Sequence, residues 1–426
     1  MRLTTLRPNW GCGSLPRFNH IWLILILLAG VFSLLYLWFS LFPGRINPEV
    51  LQYFSPDQVA RGRQYNRIPN LLSAGSFLVQ AVFLIWLVFG GRAVSLSRWA
   101  QQVAGGSYWG GVLLFFVVLW LLLRLLDLPF TLSSSYFWQQ HWGFSTQSLG
   151  SWWFDYLKGA GLDLALSAVG VVLLFLAMGR WPGTWWVAGA AFVSAWLIVQ
   201  SLIWPVVVSP LFNRFVPAGD PELVTMVQEL SQKARLPVDQ VLIMDASRRT
   251  IRANAYFAGV GQTRRIVLYD TLLADYPPDE VKAVVAHEMA HWRLGHITRG
   301  LTWGILGNIV LWGVLFLTLR ATLPPYLRYP PHTWAVILLF FLLVGFAGNP
   351  LQNYFSRGME KEADRMAVEL TGDPAGAVHL QVDLAGRNLS DVAPAPFVEW
   401  FSYSHPPAMK RINDILQYDR QQPLPE

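Results

Sequence analysis

Seven apolar stretches, each near the length that a helix needs to cross a lipid bilayer, constrain the fold of this 426-residue chain most strongly. They span residues 21–42, 71–90, 109–128, 159–178, 185–208, 301–319 and 333–348. Inside a bilayer every backbone polar group must be bonded within the protein, so segments of this length are expected to be helices. The first stretch is longer than a signal-peptide core and lacks a small-x-small cleavage site, so we expect it to be retained as an anchor.

The composition agrees with a polytopic membrane protein. Hydrophobic residues make up 54% of the chain and charged residues 14%, and the mean hydropathy is +0.37, which excludes an ordinary soluble multidomain protein. The net charge of +6 comes from basic residues scattered through loops, a pattern that favours anionic lipid headgroups over nucleic acid as partner. The single cysteine, Cys12, excludes an internal disulfide and a cysteine-based metal site.

A metal-binding pattern lies between the fifth and sixth stretches, in the sequence His287-Glu288-Met289-Ala290-His291. On a helix, residues four apart share a face, so His287 and His291 can offer two imidazole nitrogens to one ion, with Glu288 beside it. The prolines and carboxylates of residues 277–280 favour a helix start directly before the pattern. This spacing is typical of zinc peptidases, in which the glutamate acts as a general base.

A catalytic zinc site needs a third protein ligand, and the best candidate follows the seventh stretch. Glu360 and Asp364 are four residues apart in a helical pattern and so share a face. We expect Glu360 to bind the metal and Asp364 to accept the ring N–H of a ligating histidine. His291 and Glu360 can meet only if an even number of membrane crossings separates them, which supports the seventh stretch as a true span.

The predicted fold is mainly α, with about seven transmembrane helices and an α+β zinc metalloprotease domain split around the last two spans. The divisions are residues 1–208 with spans one to five, 209–300 with the histidine motif, 301–350 with spans six and seven, and 351–426 with the third ligand and a substrate-binding tail. In the second division we predict a helix from residue 221 to about 235. Strands are predicted at residues 241–244, 255–260 and 265–269, with a turn at 261–263. An edge of this sheet is expected to bind an extended substrate.

Three charged residues lie in or at the ends of predicted spans. Arg124 and Asp127 are three apart on one helix, which predicts a local ion pair. Asp163 has no evident partner in the sequence, so we expect it to face water or another helix.

Several separated motifs together resemble the integral-membrane zinc metallopeptidases of the CAAX prenyl protease type. The matching segments are residues 143–148 (GFSTQS), 210–212 (PLF), 254–257 (NAYF), 265–272 (RIVLYDTL), 287–296, 356–364 and 404–406 (SHP). The resemblance implies a seven-span fold around a water-filled chamber, with the zinc domain on the cytosolic side. It also implies that Asn254 and His405 contact substrate near the scissile carbonyl. Arg252-Ala253 departs from the His-Ser of those proteases, and the connection between the sixth and seventh spans is short.

These observations predict a membrane-embedded endopeptidase with one Zn²⁺ per chain. Glu288 is expected to act as general base and then general acid, and His405 to stabilise the oxyanion. The partners are the bilayer and a peptide or protein substrate, lipidated or not, with no nucleic acid and an oligomeric state that the sequence does not specify. We expect a multi-pass protein of the inner membrane in a prokaryote or of the endoplasmic reticulum in a eukaryote, with a cytoplasmic zinc domain.

Two alternatives remain open from the residues alone. A membrane quality-control protease of the heat-shock type carries similar zinc motifs, usually with fewer spans. A catalytically idle, zinc-stabilised scaffold or transporter is the alternative from another class, but a purely structural site has no use for the general base Glu288.

Overall fold

The structure, a computed structural model, describes residues 15–258, 265–324, 326 and 328–421. In chain order the α-helices are α1 (His20–Leu41), α2 (Pro56–Phe89), α3 (Arg92–Val103), α4 (Tyr108–Leu132), α5 (Trp138–His141), α6 (Leu149–Arg180), α7 (Trp185–Ile203), α8 (Pro221–Ala234), α9 (Asp270–Asp275), α10 (Pro278–Arg293), α11 (His296–Thr322), α12 (Thr333–Thr371), α13 (Pro374–Arg387), α14 (Pro396–Ser402) and α15 (Ala408–Gln421). The strands are β1 (Phe215–Pro217), β2 (Gln240–Met244), β3 (Ala255–Ala258) and β4 (Arg265–Tyr269).

Six helical segments of the described chain are long and apolar enough to cross a membrane. They are α1, α2, α4 with its continuation to His141, α6, α11 and α12. The fifth predicted stretch is shorter as a helix than expected, because α7 ends at Ile203 and a wider π-turn, Trp204–Val208, follows it. The mainly α fold class is confirmed, whereas the number of seven spans stays a prediction.

Side-chain caps mark where the long helices begin. Asn19 accepts the backbone N–H of Ile21 at 3.0 Å at the start of α1. Ser55 and Gln58 form a reciprocal capping box at the start of α2, in which each side chain accepts a backbone N–H of the other residue. Such caps satisfy donors that the helix itself leaves free.

The helix that contains the seventh predicted stretch, residues 333–348, does not end where the apolar residues end. Instead α12 continues for 39 residues with Pro350 inside it. At a rise of about 1.5 Å per residue the helix is roughly 58 Å long, about twice the thickness of a bilayer core. Pro350 is buried, and the nearby Asn353 donates to Phe401 O at 2.7 Å, so packing on both sides stabilises the helix where the proline removes a backbone bond. One rigid helix therefore carries both the last span and Glu360.

Arg124 does not pair with Asp127, so the predicted local ion pair is wrong. Arg124 forms its ion pair with Asp163 of α6, which also accepts the indole N–H of Trp120 at 2.8 Å. Asp127 accepts hydroxyl hydrogen bonds from Ser76 of α2 at 2.5 Å and from Thr131 at 2.7 Å. Pairing across the bundle satisfies these carboxylates more completely than a single bond between neighbours on one helix would.

The soluble part contains a four-stranded sheet of order β1-β2-β4-β3. β2 and β4 are parallel, and β1 and β3 pair antiparallel to them at the two edges. The three predicted strands are present over the described residues, whereas the short β1 was not predicted. The turn at residues 261–263 and the end of the strand predicted to reach residue 260 lie outside the described residues.

The two separated parts of the soluble domain pack into one body. Residues from the sheet, from α8 and α10, and from the far half of α12 share one hydrophobic core, which includes Ile266, Val285, Met289 and Ala367. α11 leaves this body directly after α10, and α12 returns to it. The C-terminal half of α12 is thereby placed against α10.

Candidate metal and catalytic site

Helix α10 presents its motif residues on one side because the other side is buried. Val285, Ala286, Met289 and Ala290 are completely buried at 0% exposure, which fixes the rotation of the helix against the sheet. His287, Glu288 and His291 lie on the remaining side and are partly exposed. The helix places them against the far half of α12, where Glu360 and Asp364 are both buried.

The three side chains predicted as metal ligands lie close together. His287 Nε2 is 3.1 Å from His291 Nε2 and 3.3 Å from Glu360 Oε2, and His291 Nε2 is 3.4 Å from Glu360 Oε1. Ligands about 2.0–2.2 Å from a tetrahedral ion are separated by roughly 3.3–3.6 Å. The two distances to Glu360 fall in this range and the distance between the histidines is about 0.2 Å shorter, so the group is sized for one small cation.

One carboxylate oxygen of this cluster lacks a hydrogen-bond donor. Glu360 Oε2 is buried and has no hydrogen-bond partner among the described residues. A buried carboxylate oxygen without a donor is costly, and a cation satisfies it. The chemistry of the donor set, two imidazoles and one carboxylate without a thiolate, is that of a catalytic zinc site with an open position.

Asp364 orients His287 from the side away from the cluster. Its Oδ1 atom lies 3.0 Å from His287 Nδ1, so Nε2 is the nitrogen that faces the other two side chains. Arg411 of α15 holds Asp364 in turn with two hydrogen bonds, Nε to Oδ2 at 2.8 Å and a terminal nitrogen to Oδ1 at 2.5 Å. The paired guanidinium stabilises a carboxylate that would otherwise be buried without a countercharge.

His291 has a different support. Its Nδ1 atom lies 3.0 Å from Nδ1 of His296, whose Nε2 is 3.2 Å from Glu362 Oε2. Arg299 donates to the same carboxylate at 2.5 Å. Thus a neutral ring with an ion pair behind it orients His291, whereas a buried carboxylate orients His287.

The pKa values of the cluster reflect this asymmetry. Burial lowers the pKa of His287, but the adjacent carboxylates of Asp364 and Glu360 outweigh it and raise the pKa to about 9. Burial, together with the charge of His287, lowers the pKa of His291 to about 4. Burial opposes ionisation of Glu360, yet the neighbouring histidines hold its pKa at about 2. At neutral pH both ring nitrogens of His287 are therefore protonated, and the Nε2 proton must leave when a cation binds while the Nδ1 proton remains on the side of Asp364.

Glu288 lines a cavity of about 150 Å³ beside the cluster, which is also bordered by Asn254, His405 and Arg411. Burial raises the pKa of Glu288 to about 7, with the charge of His287 opposing the shift. A carboxylate with a pKa near the working pH can both accept and return a proton.

His405 and Asn254 both line the same cavity. His405 Nε2 lies 3.4 Å from Glu360 Oε1, and its side chain is 62% exposed. Asn254 directly precedes the edge strand β3, and its Oδ1 atom accepts the N–H of Ala255 at 2.9 Å. The structure therefore brings together all the side chains that the sequence singled out.

Sequence reasoning gave no role to Arg411, His296 or Glu362. Arg411 lies 124 residues from His287, and nothing in its local pattern indicates the contact. His296 is five residues from His291 and begins the next helix, and Glu362 is two residues from Glu360, so neither stands at the spacing of three or four that places residues on one helix face.

Two family models match the chain. The model of peptidase family M48 matches residues 217–419, and that of the CAAX prenyl protease N-terminal region, with five membrane helices, matches residues 40–214. The uncharacterized metalloprotease YhfN of Bacillus subtilis is 30% identical over 373 residues, which is 84% of this chain and 86% of that protein. The chain belongs to peptidase family M48.

Two further similar proteins indicate which kind of M48 metalloprotease this chain is. The CAAX prenyl protease 1 homolog of Arabidopsis thaliana is 30% identical over 310 residues, covering 70% of this chain and 71% of that protein. The crystal structure of S. mikatae Ste24p matches with a TM-score of 0.79 at 22% identity, over 92% of this chain and 98% of that one. The predicted family and fold are confirmed, and this M48 peptidase is a multi-pass membrane metalloprotease of the CAAX prenyl protease type.

Proposed function

We propose that the protein is a zinc endopeptidase in which His287, His291 and Glu360 hold one zinc ion. The observation that supports this most directly is the spacing of their ligand atoms, 3.1–3.4 Å, around a buried and unsatisfied carboxylate oxygen. A bound zinc ion supplies Lewis acidity to the scissile carbonyl and makes a bound water more acidic.

Glu288 is the general base in this proposal. It takes a proton from the attacking water and then gives it to the leaving amine, so the same carboxyl group acts twice. Burial raises the pKa of this carboxyl group, which makes it a stronger proton acceptor than an exposed carboxylate.

The remaining side chains position the substrate and the ligands. His405, exposed at the mouth of the cavity, would donate to the developing oxyanion, and Asn254 would hold the substrate backbone. Asp364, with Arg411 behind it, keeps the His287 tautomer that points Nε2 toward the metal.

Substrates are proposed to be peptides of the prenylated CAAX class or other membrane-associated peptides. The relatives named CAAX prenyl protease 1 support the first class. The division of the chain at residues 208, 300 and 350 is part of the same proposal. Residues 209–300 and 351–426 supply the metal ligands, and the hairpin of spans six and seven between them crosses the membrane twice and brings the chain back to the same side.

One experiment tests the function. The detergent-purified protein, assayed for zinc, is incubated with a prenylated CAAX peptide and its unprenylated counterpart, and the products are identified by mass spectrometry. Zinc-dependent cleavage of the prenylated peptide is expected. Equal cleavage of both peptides and of unfolded membrane proteins would favour a quality-control protease, and no cleavage by zinc-loaded protein would contradict the proposal.

A further inference from the structure

The GFSTQS segment, residues 143–148, has no place in the catalytic scheme, yet it contacts the chain directly upstream of Asn254. Ile251 N donates to Phe144 O at 3.1 Å, and Thr146 N donates to Arg249 O at 3.1 Å. Ser145 and Thr250 form an isolated antiparallel bridge. The segment, which joins α5 to α6, thus pairs as a short extended strand with residues 249–251.

Arg252 adds a side-chain contact to this pairing. Its guanidinium lies 4.3 Å from the ring centre of Phe144 and 5.3 Å from that of Tyr65, and it also contacts the Tyr65 hydroxyl. Tyr65 belongs to the second span helix, is only 5% exposed and donates its hydroxyl to Gln139 Oε1 at 2.9 Å. The flat guanidinium therefore packs against two aromatic rings that also contact each other edge to face, with their centres 5.2 Å apart.

The backbone of Arg252 is attached to the soluble half. Its carbonyl accepts the hydroxyl of Thr271, at the start of α9, at 2.8 Å. Two residues later, Asn254 O accepts the N–H of Tyr269 at 3.0 Å, which begins the β3–β4 pairing. Arg252 is thus bonded to Tyr65 of α2 through its side chain and to α9, which directly follows β4, through its backbone.

We propose that Arg252, which packs against Tyr65 and Phe144, is a positioning residue. It fixes the position of Asn254 and of the edge strand β3 relative to the membrane helices. The inference rests on the proposed function, because Asn254 and β3 matter here as the substrate-holding edge. Arg252 does not border the catalytic cavity, whereas its neighbours Ala253 and Asn254 do. Its effect therefore reaches the substrate through the two residues that follow it.

The structure also offers a matched control. Arg248 lies four residues upstream, its side chain is 57% exposed, and its ion pair is with Asp245 at 3.1 Å within the same turn. This ion pair involves neither the 143–148 segment nor a residue that lines the cavity. An Arg248→Ala variant removes an arginine of the same stretch and is expected to behave as the unmodified protein.

The test compares KM and kcat in zinc-loaded, full-length protein acting on the peptide that the unmodified protein cleaves. Arg252→Ala should raise KM by about 10-fold, since it removes a cation–π contact and its hydrogen bond, while the zinc content stays at one per chain. Arg252→Lys, which keeps the charge without the planar fork, should show an intermediate KM. A variant that is merely partly misfolded would lower the apparent kcat and leave KM unchanged.

Adding Tyr65→Ala to Arg252→Ala should raise KM little further, because both changes remove the same contact. If Arg252→Ala gives no stable protein, Tyr65→Phe replaces it, and KM should again rise. An unchanged KM in Arg252→Ala or, in its place, Tyr65→Phe overturns the inference, as does a loss of zinc in step with activity. If the unmodified protein itself cleaves no peptide, the proposed function has failed and not the role of Arg252.

Discussion

The two histidines of the motif share a helix face but differ in what stands behind them. His287 is supported by the buried anion Asp364, which Arg411 neutralises, whereas His291 is supported by the ring of His296. A carboxylate behind an imidazole raises its basicity and so strengthens the bond to a metal. His287 is accordingly the ligand whose metal affinity depends most on its supporting residue.

Asp364→Asn tests this difference. The amide retains the shape but loses the charge, so the zinc affinity is expected to fall about 10- to 100-fold, as measured by competition with a chelator. Asp414→Asn is the control, because Asp414 pairs with Lys361 at 2.5 Å on the neighbouring surface and touches no proposed ligand. An unchanged zinc affinity in Asp364→Asn would show that the carboxylate does not support the metal.

For individual residues, the sequence predicted those contacts that helical spacing alone determines. His287 with His291, and Glu360 with Asp364, share faces because each pair is four residues apart. Arg411 could not be predicted in the same way, since its contact with Asp364 depends on how α15 packs against α12. The partner of Arg124 was missed for a similar reason, because Asp163 lies on another helix.

Among the elements, β3 is the edge strand that borders the catalytic cavity, through Ala255. It pairs with β4 on one side, in the register Tyr256 with Val267, and it lies at the edge of the described sheet. In an antiparallel pair, alternate residues direct their N–H and C=O groups away from the partner. Since Asn254 is bonded to Tyr269, Ala255 and Phe257 are the residues whose backbone groups face outward. Asn254 Oδ1 accepts the outward N–H of Ala255, where a substrate carbonyl would bind.

Binding of the substrate as an additional strand at this edge can be tested by changing the peptide and leaving the protein unchanged. N-methyl groups placed one at a time along a cleaved peptide should weaken binding at alternate residues, because only every second N–H faces β3. The measurement is KM for each methylated peptide. A uniform effect, or none, would argue against strand addition.

The element that the sequence described least well is α12. Hydropathy detected its apolar half, and the Glu360 pattern detected its polar half, but Pro350 indicated a break between them. Burial of the proline and the bond from Asn353 to Phe401 O override that local signal, and neither is visible in local sequence. Tertiary packing here outweighs a residue preference.

In the whole molecule, hydrogen bonds between segments that are distant in sequence identify which residues lie at each end of the helix bundle. Arg17 N bonds to Thr322 O and Tyr108 to Tyr329 O at one end, while Asn413 bonds to Glu49 and Lys158 to Leu211 O at the other. Trp185, at the start of α7, packs on Tyr329 of the first end, and Leu211, shortly after α7, lies at the second. The chain therefore passes from end to end through α7, which supports seven crossings.

Cysteine labelling tests this topology and the proposed cytoplasmic placement. In a background without Cys12, single cysteines replace the exposed residues Glu229 and Asp419, with Gln102 as the site at the opposite end. An impermeant reagent should label position 102 in intact cells or vesicles of native orientation and should reach 229 and 419 only after permeabilisation. Labelling of 229 and 419 from opposite sides would contradict the shared site, and labelling of both from outside would reverse the orientation.

In the proposed mechanism, one cluster binds zinc while Glu288 performs the proton transfer. The most direct measurement is zinc content together with the peptide cleavage rate in Glu288→Gln, with Asp279→Asn, an exposed carboxylate of the same helix, as control. Glu288→Gln should retain one zinc per chain and a normal thermal unfolding temperature, while cleavage falls by roughly 100- to 10,000-fold and the control keeps full activity. Full zinc content with full activity in Glu288→Gln would contradict the account.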